Sequence, residues 1–391
     1  MRFLGCKVSH TDAHAVRERL VADGHRELAD GAEIAVVNTC CVTNEAVAKS
    51  RKEVARAART HRRVYVTGCG ANLRTGGLAG VADNVVVVAQ RSEDTPAFVA
   101  GDVGAIGCVD DDVRLDRVRA FVKIQDGCSF GCNFCVVPLV RGASRSRHAS
   151  AVLAEIRRRV AQGHREVVLT GINLGCYRDR EAGYSLARLL REAGAIPGLA
   201  RLRLSSVEVN HVNAELEHAI RETPTVARHL HVPLQSGDDA VLRSMARRYD
   251  SATYLRRLER FGDFNLTTDV IVGFPGEDER AFANTVRVVD SAGITKVHTF
   301  PYSPRPGTAT AARDPVPPAV KKERGARLRA ASREACQRRW RSKLGRRELV
   351  LVDREGRGYG DDYSPWLLPG VVGELVSAQA ADVCEEGIIA A

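Results

Sequence analysis

Hydrophobic positions in the first part of the chain alternate between short apolar runs and helical spacing. Apolar runs typical of buried strands are followed by segments whose apolar residues recur every three or four positions, as Val16 and Leu20 do. Strands that alternate with helices predict parallel pairing and an α/β layer. The predicted strands are Arg2–Gly5, Ile34–Asn38, Val64–Thr67 and Val85–Val88, and the predicted helices are Asp12–Ala22 and Thr43–Thr60.

A second, longer α/β series follows, with six predicted strand–helix units. A closed barrel of this type has eight units, so the pattern favours a partial (βα)6 barrel that is open on one side. The predicted strands are Ala120–Ile124, Glu166–Thr170, Arg201–Ser205, His229–Val232, Thr267–Val272 and Lys296–Phe300. The predicted helices are Ala149–Gln162, Tyr184–Ala193, Asn213–Glu222, Asp238–Arg247, Ala252–Phe261 and Glu279–Ala292.

The segments around these two series differ in pattern. Residues 92–117 lack periodicity and carry the acidic run Asp110–Asp112, whereas the tail has short apolar strands at Leu349–Val352 and Val371–Val376. We therefore predict an α/β protein with an N-terminal open parallel domain at 1–92, a linker at 93–117, a partial barrel at 118–312, a proline-rich segment and basic helix at 313–346, and a small β-barrel-like tail at 347–391.

Composition places the chain among ordinary globular proteins. It has 391 residues, of which 44% are hydrophobic and 27% charged, which excludes a disordered or fibrous chain. Apolar runs are far shorter than the roughly 20 residues of a membrane span, and the N-terminus lacks the apolar stretch of a signal peptide. We expect a cytoplasmic protein without a membrane partner.

The net charge of +10 is concentrated in one segment. Lys321 to Arg347 contain twelve Lys and Arg but two Asp and Glu, so the rest of the chain is nearly balanced. Such a segment indicates either a surface for a polyanion, most often nucleic acid, or a solvated helix face. Charge alone does not separate these interpretations.

Eleven cysteines are many for such a chain, and an odd number without a secretory context favours metal or redox chemistry over disulfides. Cys6, Cys40 and Cys69 each follow a predicted strand. Ligands of open α/β sheets lie beyond the carboxyl ends of the strands, where these thiols can converge. Each alone is more typical of a small buried residue, but together they predict a three-ligand site.

The sharpest motif is C-x3-C-x2-C at Cys128, Cys132 and Cys135, directly after the first strand of the second series. Three thiolates can hold three irons of a [4Fe-4S] cluster and leave the fourth iron open. A structural zinc site needs a fourth ligand, and none follows at the usual spacing.

With this motif the chain resembles the radical S-adenosylmethionine (SAM) enzymes, and among them the methylthiotransferase family. The N-terminal stretches that carry the second resemblance are Gly5–Val8, Asn38–Cys40, Val42–Glu45 and Val66–Cys69. The resemblance implies that Cys6, Cys40 and Cys69 hold a second, auxiliary [4Fe-4S] cluster. Cys41 stands where relatives usually have Thr and is interpreted as a bystander.

The subfamily signals are Gln125–Gly127, Thr170–Gly175 and Phe300–Thr308, which resemble the MtaB type. This resemblance implies transfer of a methylthio group to C2 of N6-threonylcarbamoyladenosine next to the anticodon of tRNA. One cluster would generate a 5′-deoxyadenosyl radical from SAM and the other would supply sulfur, with an external reductant and a sulfur source. The rivals are the same reaction on N6-isopentenyladenosine or on a ribosomal-protein aspartate and, in another class, a non-catalytic metal-containing RNA-binding protein.

Residues at strand ends are the predicted SAM contacts, although Gly and Ser are also common there as turn residues. They are Gly171, Asn173, Ser205, Ser206, Glu208, Gln235 and Ser236. Arg141, Arg145 and Arg147 follow the cysteine motif, where they can hold the SAM carboxylate or a tRNA phosphate, or form surface salt bridges. The tail resembles a TRAM domain, which implies contact with the tRNA anticodon stem-loop.

Overall fold

A computed structural model of the protein describes residues 1–73, 77–106 and 118–391. Its packing divides the chain into two units that do not follow chain order. Among the described residues, the first unit comprises 1–73, 77–106, 126–145 and 303–312, and the second comprises 118–125, 146–302 and 313–391.

The first unit contains a parallel sheet of four strands in the order β1-β2-β3-β4. Val37 and Val66 on one face of the sheet pack with helix α2, whereas Val36 and Tyr65 on the other face pack with Val16 of helix α1. The elements are β1 Arg2–Phe3, α1 Lys7–Ala22, β2 Ile34–Thr39, α2 Asn44–Ala58, β3 Arg63–Gly68, β4 Val85–Val87, α3 Thr95–Val103 and α4 Val137–Arg141.

Two of these helices differ from the prediction. Helix α1 begins at Lys7, directly after Cys6, rather than at Asp12. Helix α3 occupies part of the segment that the sequence predicts as a linker, with Pro96 in its first turn and Val99 in the core. The acidic run Asp110–Asp112 lies outside the described residues.

In the second unit, all six predicted strands of the longer series are present and run parallel. They form two three-stranded sheets, β11-β8-β5 and β12-β13-β14, and single bridges join Leu202 to Val226 and Ser206 to His231. The elements are β5 Arg119–Lys123, α5 Ala149–Ala161, β8 Glu166–Thr170, β9 Arg178–Asp179, β10 Tyr184–Ser185, α6 Leu186–Gly194, β11 Arg201–Leu204, α7 Ala214–Glu222, β12 His229–His231, α8 Asp239–Ser244, α9 Ser251–Glu259, β13 Asn265–Val272, α10 Glu279–Ser291 and β14 Lys296–Pro301. The short strands β6 Gln125–Asp126 and β7 Arg145–Ser146 each have one residue in each unit.

The tail of the second unit is a closed five-stranded barrel, preceded by a long helix that carries the basic segment. Its core is built around the buried Trp366 and is covered by Trp340 of the helix. The predicted strand Val371–Val376 begins four residues too early, because Val371 and Val372 are exposed in a turn between Gly370 and Gly373 and the observed strand starts at Leu375. The elements are α11 Pro318–Arg341, β15 Arg347–Arg354, β16 Arg357–Tyr359, β17 Pro365–Leu367, β18 Leu375–Val383 and β19 Ile388–Ala390.

A buried ion-pair cluster joins this barrel to the amino ends of β8 and β11. The Glu166 carboxylate accepts hydrogen bonds from Arg201 at 3.0 Å and from Arg203 at 2.9 Å. Both guanidinium groups also donate to barrel carbonyls, Arg201 to Leu349 at 2.9 Å and Arg203 to Asp361 at 3.1 Å. The barrel is therefore fixed to the parallel strands through fully paired polar groups.

The charges explain why Glu166 stays ionised in this interior. Burial alone raises the pKa of a carboxyl group, but Arg203, Arg201 and Arg119 outweigh it and hold the pKa of Glu166 at about 2.

In the described part of the chain, no helix combines the length and the apolar character needed to cross a membrane.

Candidate iron–sulfur and cofactor sites

Three cysteines follow consecutive parallel strands of the first unit. Cys6 caps α1 just after β1, Cys40 follows β2, and Cys69 follows β3. The chain can turn closely here because Gly68 has a φ of +86°, and a Cβ at Gly68 would lie 2.7 Å from the Thr39 carbonyl oxygen. The Gly68 turn lets the chain before Cys69 pass close to Thr39, the residue before Cys40, at the carboxyl edge of the sheet.

The thiols after β1 and β2 act on the ionisation of the thiol after β3. Burial raises the pKa of Cys69 most, Arg141 opposes the increase, and Cys6 and Cys40 add to it, so that the pKa is about 11. The pKa of Cys40 is also raised, first by burial and then by Cys6. Thiols with pKa values raised in this way, as at Cys40 and Cys69, release their protons most readily to a cation that takes up the negative charge.

The C-x3-C-x2-C loop lies between β6 and α4, and its three cysteines are half-buried. Gly127 has a φ of +69°, and a Cβ there would lie only 2.1 Å from the Ala143 carbonyl oxygen. The Cys128 amide donates to the Gly142 carbonyl at 3.0 Å, and the Cys135 amide donates to the Cys132 carbonyl at 3.1 Å. The loop is thus wrapped tightly by its own backbone.

Sulfur in this loop also accepts a backbone hydrogen bond, from the Phe130 amide to Cys128 at 3.4 Å. Such bonds are typical of thiolate ligands of iron–sulfur clusters. Within the described residues, no group of three His, Cys, Asp or Glu side chains is arranged to hold a single metal ion. The fit to clusters therefore depends on the grouped thiols and on the tight glycine turns.

Polar atoms without partners mark the carboxyl ends of two neighbouring strands in the second unit. The register pairs Leu204 with Leu169, which places Ser205 beside Thr170. The hydroxyl oxygens of Ser205 and Thr170 and the side-chain oxygen of Asn173 are buried without a hydrogen-bond partner in the described residues. Several other buried atoms also lack partners, but these three lie at or just after the ends of adjacent strands, which makes them candidate contacts for a polar ligand.

Comparison with known proteins identifies the family of the chain. The model of the radical SAM superfamily matches residues 122–289, and the model described as uncharacterized protein family UPF0004 matches residues 1–89. The threonylcarbamoyladenosine tRNA methylthiotransferase MtaB of Chlamydia pneumoniae is 33% identical over 99% of this chain and 96% of that protein. The chain belongs to the radical SAM methylthiotransferase family. The predicted resemblance is confirmed.

Other relatives of this methylthiotransferase support the assignment. MtaB of Thermotoga maritima is 33% identical over 98% of this chain and 94% of its own length. The tRNA-2-methylthio-N(6)-dimethylallyladenosine synthase of Sorangium cellulosum is 37% identical over 91% and 82%. The radical SAM methyltransferase TsrM from Kitasatospora setae has a TM-score of 0.54 at 14% identity, over 76% of this chain and 68% of that one, which shows a shared fold.

The remaining predicted SAM contacts of this methylthiotransferase differ in whether they already have partners within the protein. Gly171 is buried beside Gln125, whose side-chain oxygen accepts from the Asn173 amide at 2.9 Å. Glu208 is engaged, since Arg247 donates to it at 3.0 Å and the Asn210 amide donates at the same distance. This carboxylate is therefore already paired within the protein.

The contacts after β12 have structural partners as well. Gln235 adopts a φ of +64°, and its amide donates to the Asp269 carbonyl at 2.8 Å. The Ser236 hydroxyl is fully buried and accepts from the Asp238 amide at 3.2 Å. Ser206, half-buried, forms the bridge to β12. The backbone therefore brings these residues to the strand ends, with Ser236 bracing the turn before α8.

Two features of the methylthiotransferase site escape sequence reasoning. Thr170 was not a predicted contact, although its position as the last residue of β8 was a usable signal. Arg141 was predicted to hold a SAM carboxylate or a tRNA phosphate, but its side chain is only 5% exposed and donates to Cys69, Asp12 and Asp126. Cys41 is fully buried against Val136 and Val140.

Proposed function

We propose that the protein transfers a methylthio group to C2 of N6-threonylcarbamoyladenosine next to the anticodon of tRNA. The observation that carries this proposal is similarity to MtaB proteins over 98–99% of this chain and 94–96% of theirs. The second candidate is N6-isopentenyladenosine, and the 37% identity to the Sorangium cellulosum dimethylallyladenosine synthase favours it. The two differ in the group on N6, which is carboxylated in one base and apolar in the other.

In this proposal Cys128, Cys132 and Cys135 hold one [4Fe-4S] cluster, and Cys6, Cys40 and Cys69 hold the second. When bound, these groups and SAM would supply a 5′-deoxyadenosyl radical and a methylated sulfur, which suits a C–H bond that is inert to acid–base chemistry. The chain itself provides the thiolates, the glycine turns that bring them together, and a buried setting for Cys69. An external reductant and a sulfur source complete the proposed partners.

The proposed SAM-binding residues are led by the three polar atoms without partners. Thr170, Asn173 and Ser205 present oxygens that can accept or share hydrogen bonds with the amino, carboxylate or ribose groups of SAM. Ligand binding there would satisfy atoms that the described protein leaves unpaired. Gly171, Ser206, Glu208, Gln235 and Ser236 complete the proposed set.

We propose that tRNA contacts the basic helix α11 and the TRAM-like barrel. Some of the basic residues serve the fold instead, since Arg324 pairs with Glu277 at 2.7 Å and Arg339 with Asp362 at 2.7 Å. Six exposed cations of the basic segment have no carboxylate within ion-pair distance in the described parts of the chain, namely Lys322, Arg329, Arg333, Arg341, Arg346 and Arg347. Binding through such groups depends on phosphate neutralisation and weakens steeply as salt increases.

The test is nucleoside mass spectrometry of tRNA from a host that lacks its own methylthiotransferases and expresses this chain. We expect 2-methylthio-N6-threonylcarbamoyladenosine to accumulate, and Cys132→Ala to abolish it. Cys336→Ala is the matched control, because Cys336 packs against the barrel core and should leave the product in place. Appearance of the isopentenyl product instead would select the second candidate.

Metal analysis of the same proteins tests the cofactors. Two clusters correspond to about eight irons per chain, and Cys132→Ala should retain the iron of the second cluster. Zinc near one equivalent with no iron would reject the proposal in favour of a non-catalytic metal protein.

A further inference from the structure

One arginine of the first unit contacts both cysteine regions. Arg141 is the last residue of α4, which follows Cys135, and its Nε lies 3.0 Å from the Cys69 sulfur. Its side chain is 5% exposed. A guanidinium does not lose its proton in proteins, so Cys69 lies beside a buried positive charge.

The orientation of this guanidinium is fixed by acceptors on two other segments. Arg141 donates to Asp12 at 2.9 Å and to the Ser9 hydroxyl at 3.1 Å, both on the helix that starts at Cys6. It also donates to both carboxylate oxygens of Asp126, at 2.9 and 3.1 Å. Bidentate pairing of this kind holds the planar group in one geometry.

Asp126 continues the connection into the C-x3-C-x2-C loop. Its carboxylate accepts from the Gly127 amide at 2.7 Å and from the Ser92 hydroxyl at 2.7 Å, and Cys128 is the next residue but one. An unbroken series of hydrogen bonds therefore runs from the Cys69 sulfur through Arg141 to the turn that precedes Cys128.

The charge balance of the group has a chemical consequence. Two carboxylates, Asp12 and Asp126, orient one cation, and the N–H group left at Nε points at sulfur. Hydrogen bonds to the sulfurs and nearby charge are among the features that set the reduction potential of a cluster. A positive charge favours the state that carries one more electron, so removal of the charge makes reduction harder.

We propose that Arg141 is a positioning residue that raises the reduction potential of the cluster at Cys6, Cys40 and Cys69 and ties that cluster to the turn before Cys128. The inference rests on the proposed function, because it requires the second cluster. It assigns Arg141 a role toward cluster sulfur, in place of the SAM or phosphate contact that the sequence predicts.

The experiment isolates the second cluster. In a parent in which Cys128, Cys132 and Cys135 are all changed to Ala, a redox titration followed by electron paramagnetic resonance gives the midpoint potential of that cluster. Arg141→Gln should decrease the equilibrium constant for reduction at least tenfold, which is about 59 mV for a one-electron couple. Arg141→Lys keeps the positive charge but not the planar guanidinium with its several donors. It should shift the midpoint potential in the same direction by a smaller amount.

Arg91→Gln is the control for charge alone. Arg91 borders the same 780 Å³ cavity as Cys69 and Arg141, but its side chain is 67% exposed and pairs with Glu93 at 3.8 Å. Because solvent screens this charge, the control should leave the potential unchanged. An equal shift in Arg91→Gln would overturn the assignment to Arg141.

The remaining outcomes separate this inference from the proposed function. An iron-loaded Arg141→Gln protein with the parent potential would overturn the inference and leave the two-cluster proposal standing. If Arg141→Gln takes up no iron, an unchanged potential in Arg141→Lys would overturn it equally. A parent that binds no iron while the unmodified chain binds one cluster would reject the second cluster itself.

Discussion

The two ends of strands β8 and β11 contrast sharply in how their polar groups are treated. At the amino ends, Glu166, Arg201 and Arg203 are buried and paired, and the arginines also donate to barrel carbonyls. At the carboxyl ends, Thr170 and Ser205 are as deeply buried, yet their hydroxyl oxygens find no partner in the described residues. The same pair of strands thus has one saturated end and one unsatisfied end.

This difference separates stability from binding. A buried polar atom without a partner costs about 1–3 kcal/mol, a cost that a ligand can remove when it binds. A buried ion pair with every donor satisfied offers nothing to a ligand, but it holds two parts of the fold together. Substitutions at the two ends should therefore affect different measurements.

The largest expected effect is on stability, from removal of the buried ion pairs at the amino ends of β8 and β11. Glu166→Gln leaves Arg201 and Arg203 buried without their counter-charge, so we expect the free energy of unfolding to fall by about 3–5 kcal/mol. Urea unfolding measures this change. SAM binding by the folded fraction should be unchanged, because Glu166 lies at the opposite end of β8 from Thr170.

A surface change is the control for that experiment. Glu181→Gln removes a carboxylate whose side chain is 85% exposed, 3.9 Å from His148. We expect a change within about 0.5 kcal/mol. A comparable loss of unfolding free energy in both variants would show that the buried ion pairs stabilise the fold no more than an exposed pair does.

The next largest expected effect is a pH dependence of stability that comes from Glu166 at the amino end of β8. The pKa of Glu166 is lowered from 4.5 to about 2, so its stabilisation is complete above pH 4.5 and is lost as pH falls toward 2. The stability difference between the unmodified protein and Glu166→Gln should shrink by about 1 kcal/mol between pH 7 and pH 3.5. A difference that stays constant over that range would contradict the assigned pKa.

The smallest expected effect is on SAM affinity, from a substitution at the carboxyl ends of β8 and β11. Ser205→Ala removes a hydroxyl that has no protein partner, so unfolding should be unaffected or slightly harder. The dissociation constant for SAM, measured by calorimetry under anaerobic conditions, should rise about 2- to 12-fold, which corresponds to one hydrogen bond. Unchanged SAM affinity would remove Ser205 from the site.

Strands β8 and β11 could be predicted from the sequence. Glu166–Thr170 matches the observed β8 at both ends, and Arg201–Ser205 ends one residue beyond β11. The run Val167–Leu169 is typical of a buried parallel strand, whereas β11 alternates Arg with Leu and is predicted from its place in the strand–helix alternation. The carboxyl-end polar residues follow from that assignment.

The partners of charged residues were not accessible in the same way. A sequence does not tell whether Arg141 extends into solvent or turns inward onto Asp12, which is distant in the chain. The tail shows a related limit, since Val371 and Val372 have the apolar character of a strand but lie exposed in a turn. Composition predicts which residues can be buried, whereas tertiary packing decides which are.

The ion pairs at the amino ends of the strands also bear on how the chain can be divided. The tail is not a detachable module, because removal of residues 347–391 would strip Arg201 and Arg203 of the carbonyls of Leu349 and Asp361. A tail exchanged between relatives can dock only where both sides of this contact match. The closed barrel and the strands beneath it are therefore expected to be inherited together as one piece.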